Sequence, residues 1–161
     1  MDSLSINGKE LYPFLEELAS GSGKIIMQYF EGGVSVDIKA DQTPVTEADR
    51  DAEEYLRSTI KKEFPDHGII GEEYGNENPD AEYVWILDPI DGTKSFISHV
   101  PLFGTLIGLL RNKMPAAGVI NNPVLNQFLY GDNSNAWLNG EKTRCRNCSS
   151  ISEAVLCTSD P

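Results

Sequence analysis

The sequence predicts an α+β domain in which helices pack on one face of a mostly antiparallel sheet. Three observations carry that expectation. Apolar residues recur at helical spacing in two early segments, residues 11–29 and 52–64. From Ile69 onward they gather instead into short runs of strand length, several closed by turn-forming residues. Asn139-Gly140, between Ala136-Trp137-Leu138 and Glu141-Lys142-Thr143, marks a hairpin, because both central residues of a tight hairpin turn need positive φ. Helices first and strands after is the order expected when helices segregate to one side of a sheet. The chain has 161 residues, 40% of them hydrophobic and 24% charged, which is enough apolar material for one folded domain. No repeat, low-complexity tract or internal linker divides it.

The elements follow in order. Leu11, Phe14, Leu15, Leu18, Ile25, Ile26 and Tyr29 line one helical face. Gly21-Ser22-Gly23 is expected to loosen this helix and Gly32-Gly33 to end it. Residues 34–39 alternate apolar and polar and predict a half-buried strand, followed by a loop at Asp41-Gln42-Thr43-Pro44. Thr46-Glu47-Ala48-Asp49 opens a second helix, whose apolar face runs through Ala52, Tyr55 or Leu56, Ile60 and Phe64 until Pro65 closes it. Asp49 stands three residues after Thr46, so spacing alone favours an N-terminal capping role for it. His67 reads as a turn residue before a strand at Ile69-Ile70, and residues 76–80 read as a polar loop. Residues 83–87 form an apolar run, a buried strand ending at Asp88. Further strands are predicted over 104–110, 116–120 and 127–130, with one more at 154–158.

The chemistry gathers after the strand at 83–87. Pro89 biases Asp88 away from helical dihedrals, so the chain turns where the strand stops. Asp91 follows three residues later, and across such a turn both carboxylates can face one cleft. Gly92 permits close backbone approach, and Thr93 can begin a short helix whose free N–H groups favour an anion. By itself Asp-Pro-x-Asp-Gly-Thr reads equally well as a surface turn. A second short apolar run, Gly68-Ile69-Ile70-Gly71, also ends in carboxylates, Glu72 and Glu73. Carboxylates at two neighbouring strand ends repel by roughly 4 kcal/mol per pair at about 4 Å and an effective dielectric of about 20. Nothing nearby supplies enough Lys or Arg to offset this. Hard oxygens without His or Cys point to Mg²⁺ or a similar cation.

Charge excludes other classes. The chain carries 13 Lys and Arg against 25 Asp and Glu, a net charge of −12, with no basic run. Nucleic-acid binding rests on neutralising phosphates, and docking on an anionic membrane rests on the same kind of attraction, so neither is expected. No apolar stretch approaches the roughly 18 residues of a membrane span and no signal-peptide pattern opens the chain, so a cytoplasmic protein is the default expectation. Cys145-Arg146-Asn147-Cys148 has zinc-ligand spacing, but no second Cys or His pair follows it, so Cys145, Cys148 and Cys157 are expected as reduced structural thiols.

Trp85-Ile86-Leu87-Asp88-Pro89-Ile90-Asp91-Gly92-Thr93, with Gly71-Glu72-Glu73 upstream, resembles the signature of the inositol-monophosphatase-like, metal-dependent phosphatases. Lys94-Ser95-Phe96-Ile97-Ser98 and Pro101-Leu102-Phe103-Gly104-Thr105 most resemble the histidinol-phosphatase branch. The resemblance runs from about Leu11 to Pro161. It implies the first domain of a layered αβαβα fold, the N-terminal metal- and phosphate-binding half of a phosphatase whose other half is absent from this chain. It also implies Mg²⁺-dependent hydrolysis of a small phosphomonoester, with Mn²⁺ as a possible substitute, by a protein that is a homodimer at full length. Glu72, Asp88 and the carbonyl of Ile90 would hold one ion, and Asp88 and Asp91 a second. Thr93 and Asp49 would work on the nucleophilic water, which reverses the capping preference for Asp49, and Glu72 would join them in catalysis. Glu72, Asp91, Gly92 and Thr93 would meet the substrate. Lys39 matches a lysine near the metal site, against an exposed strand-end lysine, and His99 lies at the cleft rim without a catalytic role. Histidinol phosphate is the expected substrate. Inositol phosphates, sugar phosphates and 3′-phosphoadenosine compounds stay open, as does a catalytically silent metal-binding half-domain. This chain alone is expected to be nearly inactive.

Overall fold

The structure, a computed structural model, describes residues 5–6, 8–33, 36–38 and 44–156. Strands β1 (Ser5–Ile6) and β2 (Lys9–Glu10) pair as a small hairpin that leads into helix α1 (Leu11–Gly32). β3 (Val36–Ile38) pairs antiparallel with β4 (Pro44–Thr46), and β4 leads directly into α2 (Glu47–Glu63). Then come β5 (Gly68–Gly71), β6 (Gly75–Glu77), β7 (Tyr83–Asp91) and the short helix α3 (Thr93–Ile97). β8 (Gly104–Arg111), β9 (Met114–Asn122), β10 (Gln127–Asp132), β11 (Ala136–Leu138) and β12 (Glu141–Thr143) follow. Eight strands form one sheet in the order β12-β11-β10-β9-β8-β7-β5-β6. Only β5 and β7 run parallel, and every other neighbouring pair is antiparallel. This is the α+β architecture that the pattern predicts.

The two long helices cover one face of the sheet. Leu11, Phe14, Leu15 and Leu18 of α1 and Leu56 and Ile60 of α2 meet Ile69, Trp85, Leu87, Ile107, Leu109, Val119, Tyr130 and Trp137 from the strands in one continuous core. Trp85 lies at its centre, fully buried, edge-on to Phe14 at 5.7 Å between ring centroids. The opposite face has no such cover among the described residues. Ile86 and Ile120 point to it at 40% and 51% exposure, and an open groove of about 630 Å³ runs past Ile86, Leu106, Gly108 and Leu129.

Several expectations are corrected. Helix α1 is not loosened at Gly21-Ser22-Gly23 but runs unbroken through it. A Cβ at Gly21 would lie 2.0 Å from the Tyr55 hydroxyl, so the small residue there lets α2 pack close. Ser22 donates back to the Leu18 carbonyl at 2.9 Å, which satisfies its hydroxyl inside the helix. Pro44, expected in a loop, belongs to β4, while Lys39 and Asp41 to Thr43 lie outside the described residues. His67 closes the turn before β5, as expected, with its N–H donating to the Phe64 carbonyl at 3.2 Å, but it does not lie on the surface. It is buried, accepts from the Trp85 indole N–H at 3.0 Å through Nδ1, and stacks on Phe64 and Tyr83. Where a strand is expected from Ala154, the backbone is irregular as far as Leu156, after a single 3₁₀ turn at Ile151–Glu153, and the rest of that segment, with Cys157, is outside the described residues. Cys145 and Cys148 are free and exposed. The Asn139-Gly140 hairpin is present, with φ of 50° and 83°, and the Asn139 side chain accepts from Phe128 N at 2.8 Å.

Candidate metal and phosphate site

β7 does not stop at Asp88 as its apolar run suggests but continues to Asp91 through an irregularity. Asp88 pairs with Leu106 and Asp91 with Gly104, so three steps on β7 oppose two on β8. The extra residue is a bulge. Side chains two apart on β8 share a face, so the bulge brings Asp88 and Asp91 to a common face where regular alternation would have separated them. The strand could not have been read this far from hydrophobicity, because its last residues are there for their oxygens.

Gly92 follows with φ 92° and ψ 38°, a left-handed conformation, and caps α3. A Cβ at this position would lie 2.9 Å from the Leu102 carbonyl oxygen, so both the dihedral and the close approach require glycine. The Thr93 hydroxyl donates to the Ile90 carbonyl at 3.1 Å, and Phe96 N donates to Gly92 O at 3.0 Å, which closes the first turn of α3. Thr93 and Ile90, both expected at the site, are thus brought into direct contact.

Glu72 reaches the same region from β5. Its backbone N–H donates to the Leu87 carbonyl at 3.2 Å, one residue before Asp88. The parallel pairing of Gly71 with Leu87 fixes that placement, and it sets the ends of β5 and β7 side by side. The Asp88 carboxyl group is pushed up to about 8 by burial first, then by the charge of Glu72 and a hydrogen bond shared with it, then by Asp91 and Asp49. Its Oδ1 is buried and has no hydrogen-bond partner. A buried acceptor left unpaired costs about 1–3 kcal/mol, so such an atom calls for an explanation. Among the described residues no three Asp, Glu, His or Cys groups stand as a ready-made cage for an ion. The donor chemistry nevertheless fits a hard divalent cation: an orphaned buried oxygen, with Glu72 and Asp91 exposed beside it and raising its proton affinity.

Asp49 is 3% exposed at the start of α2. It accepts from Thr46 N at 2.8 Å and from the Thr46 hydroxyl at 2.6 Å, while Asp49 N donates to Thr46 Oγ1 at 3.4 Å. This is a full capping box, the reading that spacing alone favours. The bonds described for Asp49 and Thr93 go to Thr46 and Ile90 respectively, not to each other. Burial raises the proton affinity of Asp49, the bonds from Thr46 oppose this, and the charges of Glu73 and Glu72 raise it further. The field of the acidic loop therefore reaches Asp49, as it reaches Asp88. His99 sits at φ 55° with its ring 5.2 Å from that of Phe30, in the aromatic group formed with Phe96 and Phe103. Lys39 lies outside the described residues.

One residue with a clear part in this arrangement escapes a reading of the sequence. Glu53 of α2 is fully buried and accepts from Glu73 N at 2.8 Å, Tyr74 N at 3.1 Å and Arg57 Nε at 2.7 Å. The only trace of it in the sequence is an acidic residue beside the apolar stripe of α2, four positions before an arginine.

Known proteins resemble this chain along most of its length. The profile of the Inositol monophosphatase family matches residues 7–160. The chloroplastic bifunctional phosphatase IMPL2 of Arabidopsis thaliana is 46% identical over 147 residues, 89% of this chain and 42% of that protein. A histidinol-phosphatase of Chlorobaculum parvum is 45% identical over 126 residues, 77% of this chain and 49% of that protein. Among solved structures, an IMPase of Thermotoga maritima superposes with a TM-score of 0.78 at 34% identity, covering 84% of this chain and 53% of that one. The chain thus spans about half the length of the relatives it matches.

Proposed function

Because the chain belongs to the inositol monophosphatase family, we propose that it forms the metal- and phosphate-binding part of a Mg²⁺-dependent phosphomonoesterase acting on histidinol phosphate. The observation that carries this reading is Asp88, whose buried, unpartnered oxygen lies at a strand end between Glu72 and Asp91. Glu72, Asp88 and the Ile90 carbonyl would hold one ion, and Asp91 would join Asp88 at a second. Such an ion supplies positive charge for the phosphate and a lowered pKa for water, and Mn²⁺ can stand in for it.

The chain's own residues do the rest. Gly92 and Thr93 present backbone N–H groups at the left-handed turn into α3, where phosphate oxygens can be held and charge developing on them stabilised. The Thr93 hydroxyl, tied to the Ile90 carbonyl, is held in place to orient a water for attack on phosphorus. Asp49, buried and with raised proton affinity, accepts the proton that water loses. The water oxygen bonds to phosphorus, the ester P–O bond breaks, and the leaving oxygen takes a proton and departs as the alcohol. No covalent nucleophile is needed.

Two observations favour histidinol phosphate: the Lys94-Ser95-Phe96-Ile97 continuation and the match to a protein named as a histidinol-phosphatase. The likeness to the Thermotoga maritima IMPase favours inositol phosphate as a second reading. The test is phosphate release by a protein of the relatives' length that carries this chain, assayed with Mg²⁺ or EDTA on histidinol phosphate and inositol 1-phosphate. Mg²⁺-dependent release is expected, with kcat/KM at least tenfold higher for histidinol phosphate. Faster turnover of inositol phosphate would replace the substrate, and release that EDTA leaves untouched would remove the metal.

A further inference from the structure

Glu53 is a buried carboxylate that the proposed chemistry does not use, and two of its described bonds come from the backbone of the acidic loop while the third comes from Arg57 on its own helix. A carboxylate held away from water is costly unless its lone pairs are satisfied. Here Oε2 accepts from Glu73 N at 2.8 Å, and Oε1 accepts from Tyr74 N at 3.1 Å and from Arg57 Nε at 2.7 Å. The Arg57 side chain, itself 12% exposed, also donates through Nη2 to the Gly75 carbonyl. One ion pair on α2 therefore grips three consecutive backbone units, 73 to 75. On the other side, Glu72 N is tied to the Leu87 carbonyl. Glu72 is thus suspended between two anchors, one on β7 and one on α2. Gly71 fits the same design: a Cβ there would lie 2.0 Å from Glu53 Oε1 and 2.5 Å from Arg57 Nη2. The bare backbone is what lets the ion pair sit against the loop.

We infer that Glu53 is a positioning residue that, with Arg57, sets the Glu72 carboxylate against Asp88. It touches neither ion nor substrate and acts only through the backbone of residues 73–75. This rests on the reading of Glu72 and Asp88 as metal ligands. Residues that orient metal ligands from behind typically carry a 10–100-fold effect on affinity.

The test uses the 161-residue chain, with Mn²⁺ as the probe. Glu53→Ala is expected to lower Mn²⁺ affinity at least tenfold in calorimetry and to speed amide exchange at Glu73 and Tyr74. Glu53→Gln keeps a carbonyl acceptor and is expected to lose less. Gly71→Ala leaves Glu53 in place but drives a methyl group into the ion pair, and is expected to reproduce the loss of affinity. If Glu53→Ala does not fold, the Gln and Gly71 variants decide the matter. Faster exchange at Glu73 and Tyr74 with unchanged Mn²⁺ affinity would overturn the inference and leave Glu53 as a structural anchor alone. Wild-type chain that takes up no Mn²⁺ would overturn the phosphatase reading and the positioning role with it, whereas wild-type uptake that the variants leave intact would overturn the positioning role only.

Discussion

The two halves of β7 are covalently continuous and physically opposed. In the first half, Val84, Trp85 and Leu87 are buried, Trp85 donates to His67, and every residue pairs regularly with β8. In the second half the register slips, Asp88 keeps an unpartnered buried oxygen, and like charges from Glu72, Asp91 and Asp49 surround it. The first half stabilises the fold. The second half is a local burden on the fold, which protonation of Asp88 relieves and a bound cation would relieve as well. Proteins commonly hold such locally unfavourable arrangements at functional sites, with the surrounding core offsetting them.

Substitutions in the two halves should therefore act in opposite directions. The largest effect is expected from Trp85→Ala. Removing the central aromatic side chain leaves a cavity and deprives His67 of its partner, a loss of about 3–5 kcal/mol measured by denaturant unfolding. Near-wild-type stability would mean that the core is organised elsewhere.

At the other end, the prediction concerns pH. The carboxyl group of Asp88 is pushed up to about 8 in the folded chain, against about 3.9 for an unperturbed aspartate. Between those values the folded state binds the proton more tightly than the unfolded state, so this group's contribution to stability is present at low pH and lost as pH rises toward 8. The metal-free Tm should decline from pH 5 to pH 8, and Mg²⁺ should restore it by binding the folded state. Asp88→Asn should flatten the decline and stabilise the metal-free chain near pH 8 by up to about 4 kcal/mol, the scale of one relieved like-charge contact at about 4 Å and an effective dielectric of about 20. A pH profile identical in wild type and Asp88→Asn would show that the second half of β7 carries no such burden.

The smallest effect separates two roles that meet at the start of α2. Thr46→Ala removes the hydroxyl of the capping box while leaving Asp49 in place, and is expected to cost about 1 kcal/mol. Its effect on Mn²⁺ affinity should be slight, because Thr46 is no ligand. Loss of metal binding in Thr46→Ala would tie the cap to the site itself.

How much could be read in advance follows the same division. Trp85, Leu56 and Phe14 were legible because apolar periodicity reports burial directly. Asp88, Asp91, Gly92 and Thr93 were legible as a motif, yet the bulge that turns both aspartates to one face was not. A bulge is a property of pairing with β8, and residues 88–91 alone do not encode their partner. Gly21-Ser22-Gly23 misled because glycine weakens an isolated helix, whereas here its lack of a side chain admits Tyr55. Glu53 and His67 were missed for a common reason. Each is a polar side chain whose burial is made tolerable by partners distant in sequence, Glu73 and Tyr74 for one and Trp85 for the other. The hairpin of β1 and β2 is too short to leave a periodic signal, with two residues in each strand.

If the end of β7 is built around a divalent cation, calorimetric titration of Mn²⁺ into wild-type chain and Asp88→Asn reveals it most directly. At pH 8 and equal protein concentration, wild type should show saturable binding and the variant none, because the substitution removes a charge and an oxygen donor without changing side-chain size. Equal affinity in the two proteins would place the ion elsewhere and contradict the account.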